Sequence, residues 1–139
     1  GNLDVQSNGG SIMIDGSNGP LKCEASIGDI KMLNVAGRVE SLNSNGNIFL
    51  ELLYDSSIDD LGIHLETHSG DITIDIPKGL PGNINSTIHQ SSSVKDINSE
   101  MPLNVSIFQD KVMGTRKIKD GTIPINLEVH SGIITIKER

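Results

Sequence analysis

Apolar residues occur in pairs two positions apart, and the pairs recur every nine residues through the first fifty positions. The series runs Leu3/Val5, Ile12/Ile14, Leu21/Cys23, Ile30/Met32, Val39/Ser41 and Ile48/Leu50, with Ser41 the one polar intruder. From the second pair onward a glycine stands two residues ahead of each: Gly10, Gly19, Gly28, Gly37 and Gly46. Residues i and i+2 of an extended chain point the same way. Each nine-residue unit therefore predicts a short strand with an inward apolar pair, closed by a glycine turn. Repetition at a fixed period predicts copies of one unit stacked on each other. Two units make an eighteen-residue coil, with Ile12, Ile30 and Ile48 in one column and Ile14, Met32 and Leu50 in another. Stacking in register, about 4.8 Å per coil, sets each aliphatic side chain on its counterpart below.

A three-sided coil of hexapeptides fits less well. Counting in sixes from Leu3 meets Gly9, Asp15, Leu21, Ile27, Leu33, Val39, Asn45 and Glu51, so only the four middle positions are apolar. The nine-residue beat breaks between Leu52 and Leu61, where Tyr54-Asp55-Ser56-Ser57-Ile58-Asp59-Asp60 predicts a loop protruding from one edge. It returns at Ile63/Leu65 and Ile72/Ile74, and again at Ile125/Leu127 and Ile134/Ile136. Pro77 ends a strand, because it has no N–H to donate to a ladder. Between 77 and 122 the strand-like pieces Asn83–Ile88, Leu103–Phe108 and Lys111–Met113 are loosely spaced and predict longer, less regular coils. Residues 124–129 and 133–137 are expected to close the stack. The expected fold class is all-β: residues 1–139 are expected to form a single parallel β-solenoid domain, a piece of a longer chain. It has six or seven coils of two strands each and is roughly 30–35 Å long.

Composition changes this picture little. Among 139 residues there are fifteen Gly, two Phe, one Tyr and no Trp, so the core is aliphatic. A net charge of −7 argues against nucleic acid or an anionic membrane as partner, since either would repel the chain. Arg116, Lys117 and Lys119 form the one basic group, read as a solvated loop. Cys23 is the only cysteine, which rules out an intrachain disulfide and leaves a small core hydrophobe.

Two segments carry a family signature. One is Thr67-His68-Ser69-Gly70-Asp71-Ile72-Thr73-Ile74, followed by Ile76-Pro77-Lys78-Gly79-Leu80; the other is Leu127-Glu128-Val129-His130-Ser131-Gly132-Ile133-Ile134-Thr135-Ile136. Together they resemble a bacterial adhesin-domain family of unknown function, nearly over the whole chain. The resemblance implies a β-solenoid similar to that of filamentous haemagglutinin and a place at the cell surface or envelope. It brings no catalytic residues. Ile133 departs from the pattern, which has Asp there.

The candidate chemistry is sparse. His68 and His130 hold the same position in their units and point outward, but sixty-two residues separate them, which the expected order assigns to distant coils. His64, Glu66 and His68 share an outward face and suggest a surface metal set; exposed strand polarity is the preferred reading. His89 has no evident partner. The acidic loop of Asp55, Asp59 and Asp60, with Glu51 nearby, suggests Ca²⁺, but its spacing matches no EF-hand. Gly9-Gly10-Ser11-Ile12-Met13-Ile14-Asp15 approaches a nonapeptide Ca²⁺ repeat without its third glycine. A solvated loop is preferred over a Ca²⁺ site. Asp15, Asp29, Asp71 and Asp75 are the acids available for glycoside hydrolysis. They are read instead as turn and strand-edge residues, with no cations at a repeated spacing from them. Tyr54 in the loop, with Phe49 close in sequence, is the sole aromatic platform for a glycan, and Phe108 is read as core.

These observations predict a non-enzymatic solenoid at the surface or envelope, an adhesin or scaffold presenting a flat strand face to a protein or glycan. No catalytic residue, metal ligand or cofactor is assigned. The alternatives are self-association through the solenoid ends, which carry unpaired strand edges, and a carbohydrate-active β-helix enzyme.

Overall fold

The computed structural model describes residues 3–55, 57, 61–90 and 93–139. In chain order the strands are β1 (Leu3–Ser7), β2 (Ile12–Ser17), β3 (Leu21–Ile27), β4 (Ile30–Val35), β5 (Val39–Asn45), β6 (Ile48–Leu52) and β7 (Ile63–Ser69). They continue with β8 (Ile72–Ile76), β9 (Gly82–Ile88), β10 (Ile97–Ser99), β11 (Asn104–Phe108), β12 (Lys111–Lys117), β13 (Ile123–Ser131) and β14 (Ile134–Glu138). Two sheets face each other across the core. One has eight strands in the order β1-β3-β5-β7-β13-β9-β12-β11, the other six in the order β10-β14-β8-β6-β4-β2. All pairings are parallel except β9–β12 and β12–β11. The protein is a parallel β-solenoid of two strands per coil.

The columns expected from the nine-residue beat are present. Ile12, Ile30, Ile48, Ile72, Ile134 and Ile97 occupy one register across six adjacent strands, all buried. Each such side chain contributes about 1.5–3 kcal/mol on leaving water. Ser41 sits in the facing sheet between Cys23 and Leu65, fully buried, and its hydroxyl has no hydrogen-bond partner.

The turns after the eight-stranded sheet stack as closely as the strands do. A Cβ on Gly46 would lie 2.1 Å from the carbonyl oxygen of Gly28, and one on Gly132 would lie 1.9 Å from that of Gly70. Only glycine fits there. The residue after each glycine ties the coils together. Asp29 Oδ1 accepts the Asn47 N–H, Asn47 Oδ1 accepts the Asp71 N–H, and Asp71 Oδ1 accepts the Ile133 N–H, each at 2.9 Å. The ladder ends at Ile133, which explains why that position dispenses with Asp.

The order of the layers departs from the order of the chain. β13 lies between β7 and β9, and β14 between β8 and β10, so the last coil in sequence is the fifth layer of six. It does not close the stack. The chain leaves β8, skips one layer to make β9 and β10, and returns to fill the gap. Residues 77–122 accordingly form one irregular layer and a hairpin rather than several long coils. Gln109 and Asp110 alone connect β11 to β12, with Gln109 at φ 58. A two-residue link permits only an antiparallel pair, since a parallel one needs a crossover of about a dozen residues. The hairpin covers the outer side of β9 and closes that end. Arg116 and Lys117 belong to β12, and only Lys119 lies in the turn beyond it. Phe108 is not core but 72% exposed at the hairpin tip.

Candidate functional site

Skipping a layer brings distant polar residues together on the outer face of the eight-stranded sheet. Strand alternation turns Ile63, Leu65 and Thr67 of β7 inward, leaving His64, Glu66 and His68 outside. In β13 the same alternation exposes Asn126, Glu128 and His130. The parallel register sets Glu128 directly beside Glu66 and Asn126 beside His64. His89 follows the last residue of β9, whose Ile88 pairs with Val129, and so joins the row of His130.

The four histidines and two glutamates make one cluster. His130 lies between His68 and His89, with ring centroids 4.6 Å from each and the His89 ring stacked on it. His89 Nε2 is hydrogen-bonded to Glu128 Oε1, and His64 Nε2 lies 3.4 Å from Glu66 Oε1. One ligand atom from each of His64, Glu66 and Glu128 lies within 4.8 Å of the other two. The hydrogen bond from His89 holds the Glu128 carboxyl below its usual range, against the opposing effect of partial burial. All of these side chains are partly exposed. Beside them an open groove of about 320 Å³ runs toward β1, lined by Glu24, Ser26, Ser44, Glu66, His68 and His130 among others.

The sequence pointed to His64, Glu66 and His68 as an outward trio, and this is their arrangement. It separated His68 from His130, which the structure corrects: their coils are neighbours. Glu128 and the partners of His89 were missed. The matching tripeptides His68-Ser69-Gly70 and His130-Ser131-Gly132 were the available signal, because like turns stack best on like turns.

The other candidates disperse. Asp15 accepts a hydrogen bond from Asn34 Nδ2 at 3.0 Å, Asp75 pairs with Arg139 at 3.0 Å, and Asp29 and Asp71 serve the turn ladder. Glu51 lies beside Asp75 in the six-stranded sheet. Asp55 binds Ser57 through its backbone N–H and hydroxyl, which lower the Asp55 pKa. Asp59 and Asp60 lie outside the described residues, and with them most of the Ca²⁺ candidate. Tyr54 is 40% exposed and borders a wide, shallow groove with Leu53, Asn34 and Lys78. Phe49 is on the outer face of β6, with Lys31 Nζ 5.8 Å above its ring. Cys23 is fully buried, and burial pushes its thiol up to about 11.

No protein-family model, curated protein or solved structure matches this chain.

Proposed function

We propose that this chain is a non-enzymatic solenoid module of a cell surface or envelope, docking a protein or glycan on the outer face of its eight-stranded sheet. One observation carries the reading. Gln6, Glu24, Leu42, Glu66 and Glu128 form an outward row in register across five adjacent strands, and the first four border the open groove. A flat, rigid and largely polar row with one apolar rung suits recognition of an extended surface. Stacked coils hold such a row without loops that must order on binding, which lowers the entropic cost of association.

Glycoside hydrolysis by the Glu66 and Glu128 pair is the weaker alternative. That chemistry needs one carboxylic acid kept protonated by a raised pKa, a role that Glu128, shifted the other way, does not supply. End-to-end self-association is the other alternative, and one end is blunted by a hairpin and a short strand. β1 and β2 form one end, and the antiparallel β11–β12 pair with three-residue β10 forms the other.

The test is binding of the folded chain to a panel of envelope glycans and surface proteins. Saturable binding is expected, and Leu42→Arg is expected to abolish it while leaving the melting temperature unchanged. Absence of any ligand, or binding indifferent to Leu42→Arg, would overturn the reading. Sedimentation over a concentration series is expected to give a constant monomer. Polysaccharide incubations with and without divalent ions are expected to show no cleavage.

A further inference from the structure

We infer that His64, Glu66 and Glu128 form a binding site for a divalent transition ion of the Zn²⁺ class, with His89 orienting the Glu128 carboxylate. The inference does not depend on whether the sheet docks a partner.

Three observations converge. First, two of the donor atoms already have the spacing a metal requires, and the third is near. A tetrahedral ion with bonds of 2.0–2.2 Å separates its ligands by about 3.4 Å, and His64 Nε2 lies 3.4 Å from Glu66 Oε1. Glu128 completes a set within 4.8 Å, which small rotations of exposed carboxylates close. Secondly, Glu66 and Glu128 stand directly opposite each other on neighbouring strands. Like charges in that position are unfavourable, and a bound cation converts the repulsion into attraction for both. Thirdly, His89 engages Glu128 from the next strand. Partners that fix a ligating group in this way hold metal sites in shape.

The donor chemistry selects the ion. Ca²⁺ and Mg²⁺ take six or more oxygen ligands and leave imidazole aside. One imidazole nitrogen and two carboxylates suit Zn²⁺, and the Irving–Williams order adds Cu²⁺ and Ni²⁺ as stronger or comparable binders in vitro. The three protein ligands lie on an open face, so the remaining coordination position faces solvent. His68 and His130 belong to the adjoining row, where their rings lie against each other at 4.6 Å in a tilted contact.

Calorimetric titration of the chelator-treated chain with Zn²⁺ tests this directly. One saturable ion per chain is expected, with Ca²⁺ giving no competing signal. His64→Ala and Glu128→Gln are each expected to weaken binding at least ~10-fold, and His89→Ala ~10–100-fold. His68→Ala should remain within ~2-fold of the parent, as a residue outside the set with its own exposed position. Circular dichroism establishes that each variant is folded, and the His64 ring resonances are expected to shift before those of His68 during the titration. Absence of saturable Zn²⁺ binding in the folded chain would overturn the site. So would equal loss from His68→Ala and His64→Ala, which would assign the ion to the neighbouring row of imidazoles. Ca²⁺ binding as tight as Zn²⁺ binding would reduce the cluster to an acidic patch and also overturn the inference.

Discussion

The Cα of Gly132 sits so close above the carbonyl oxygen of Gly70 that a Cβ would fall 1.9 Å from it. These two glycines lie sixty-two residues apart in the chain and one layer apart in the solenoid. Their contact joins the last coil to β7 and β8 and brings the histidines onto one face.

Replacing Gly132 by alanine should therefore cost about 3 kcal/mol or more, since backbone rather than a flexible side chain must yield. Gly9→Ala, with nothing within 4 Å of the added methyl, should change stability by no more than about 0.5 kcal/mol. Urea denaturation of both variants checks the contrast.

Ser41→Ala should stabilise the chain. The Ser41 hydroxyl is fully buried without a partner, and an unsatisfied buried hydroxyl costs about 1 kcal/mol or more. A gain of about 1 kcal/mol in the same denaturation experiment is expected; a loss would mean that the hydroxyl has a bonded role.

Cys23 should resist a thiol-specific disulfide reagent at neutral pH and react at once in denaturant. Its thiol titrates at about 11 when folded, against about 8.5 for a free cysteine. Folding favours the protonated form. The stabilising contribution is whole below the unfolded value and is lost as pH rises from there through the folded one. Stability should fall over that alkaline window, and Cys23→Ala should flatten this part of the profile.

Glu128 gives the opposite slope. Its folded pKa is depressed by the His89 hydrogen bond, so its contribution is present above the unfolded carboxylate value and lost as pH falls through the folded one. Glu128→Gln should be less stable than the parent at pH 7, the difference vanishing in acid. A difference that persists at pH 2 would show that the carboxylate's charge is not what matters.

Much of the fold could be read from residue order. The Ile12, Ile30 and Ile48 column, the glycine turns and the aspartates beside them all follow from a nine-residue beat, because each requirement is local to one unit. The layer order could not be read this way. After β8 two segments compete for the same strand edge. Ile84 and Ile125 are equally aliphatic, and only the turn chemistry of Ser131-Gly132 distinguishes them. The hairpin depended on the short Gln109-Asp110 link, which carries no glycine to announce it. The candidate site inherits that ambiguity: His64 and Glu66 are neighbours in sequence, whereas Glu128 and His89 join them only once the layers are sorted.

Disulfide trapping tests that sorting most directly. His64 and Asn126 are register partners on adjacent strands, and Asn85 is the partner of Asn126 one strand further out. That places residues 64 and 85 about 9.6 Å apart, beyond the reach of a disulfide. With Cys23 changed to alanine, the pair His64→Cys and Asn126→Cys should oxidise to an intramolecular bond without loss of stability, and the pair His64→Cys and Asn85→Cys should not. Bonding of the second pair and not the first would mean that the coils stack in chain order, contradicting the inserted layer.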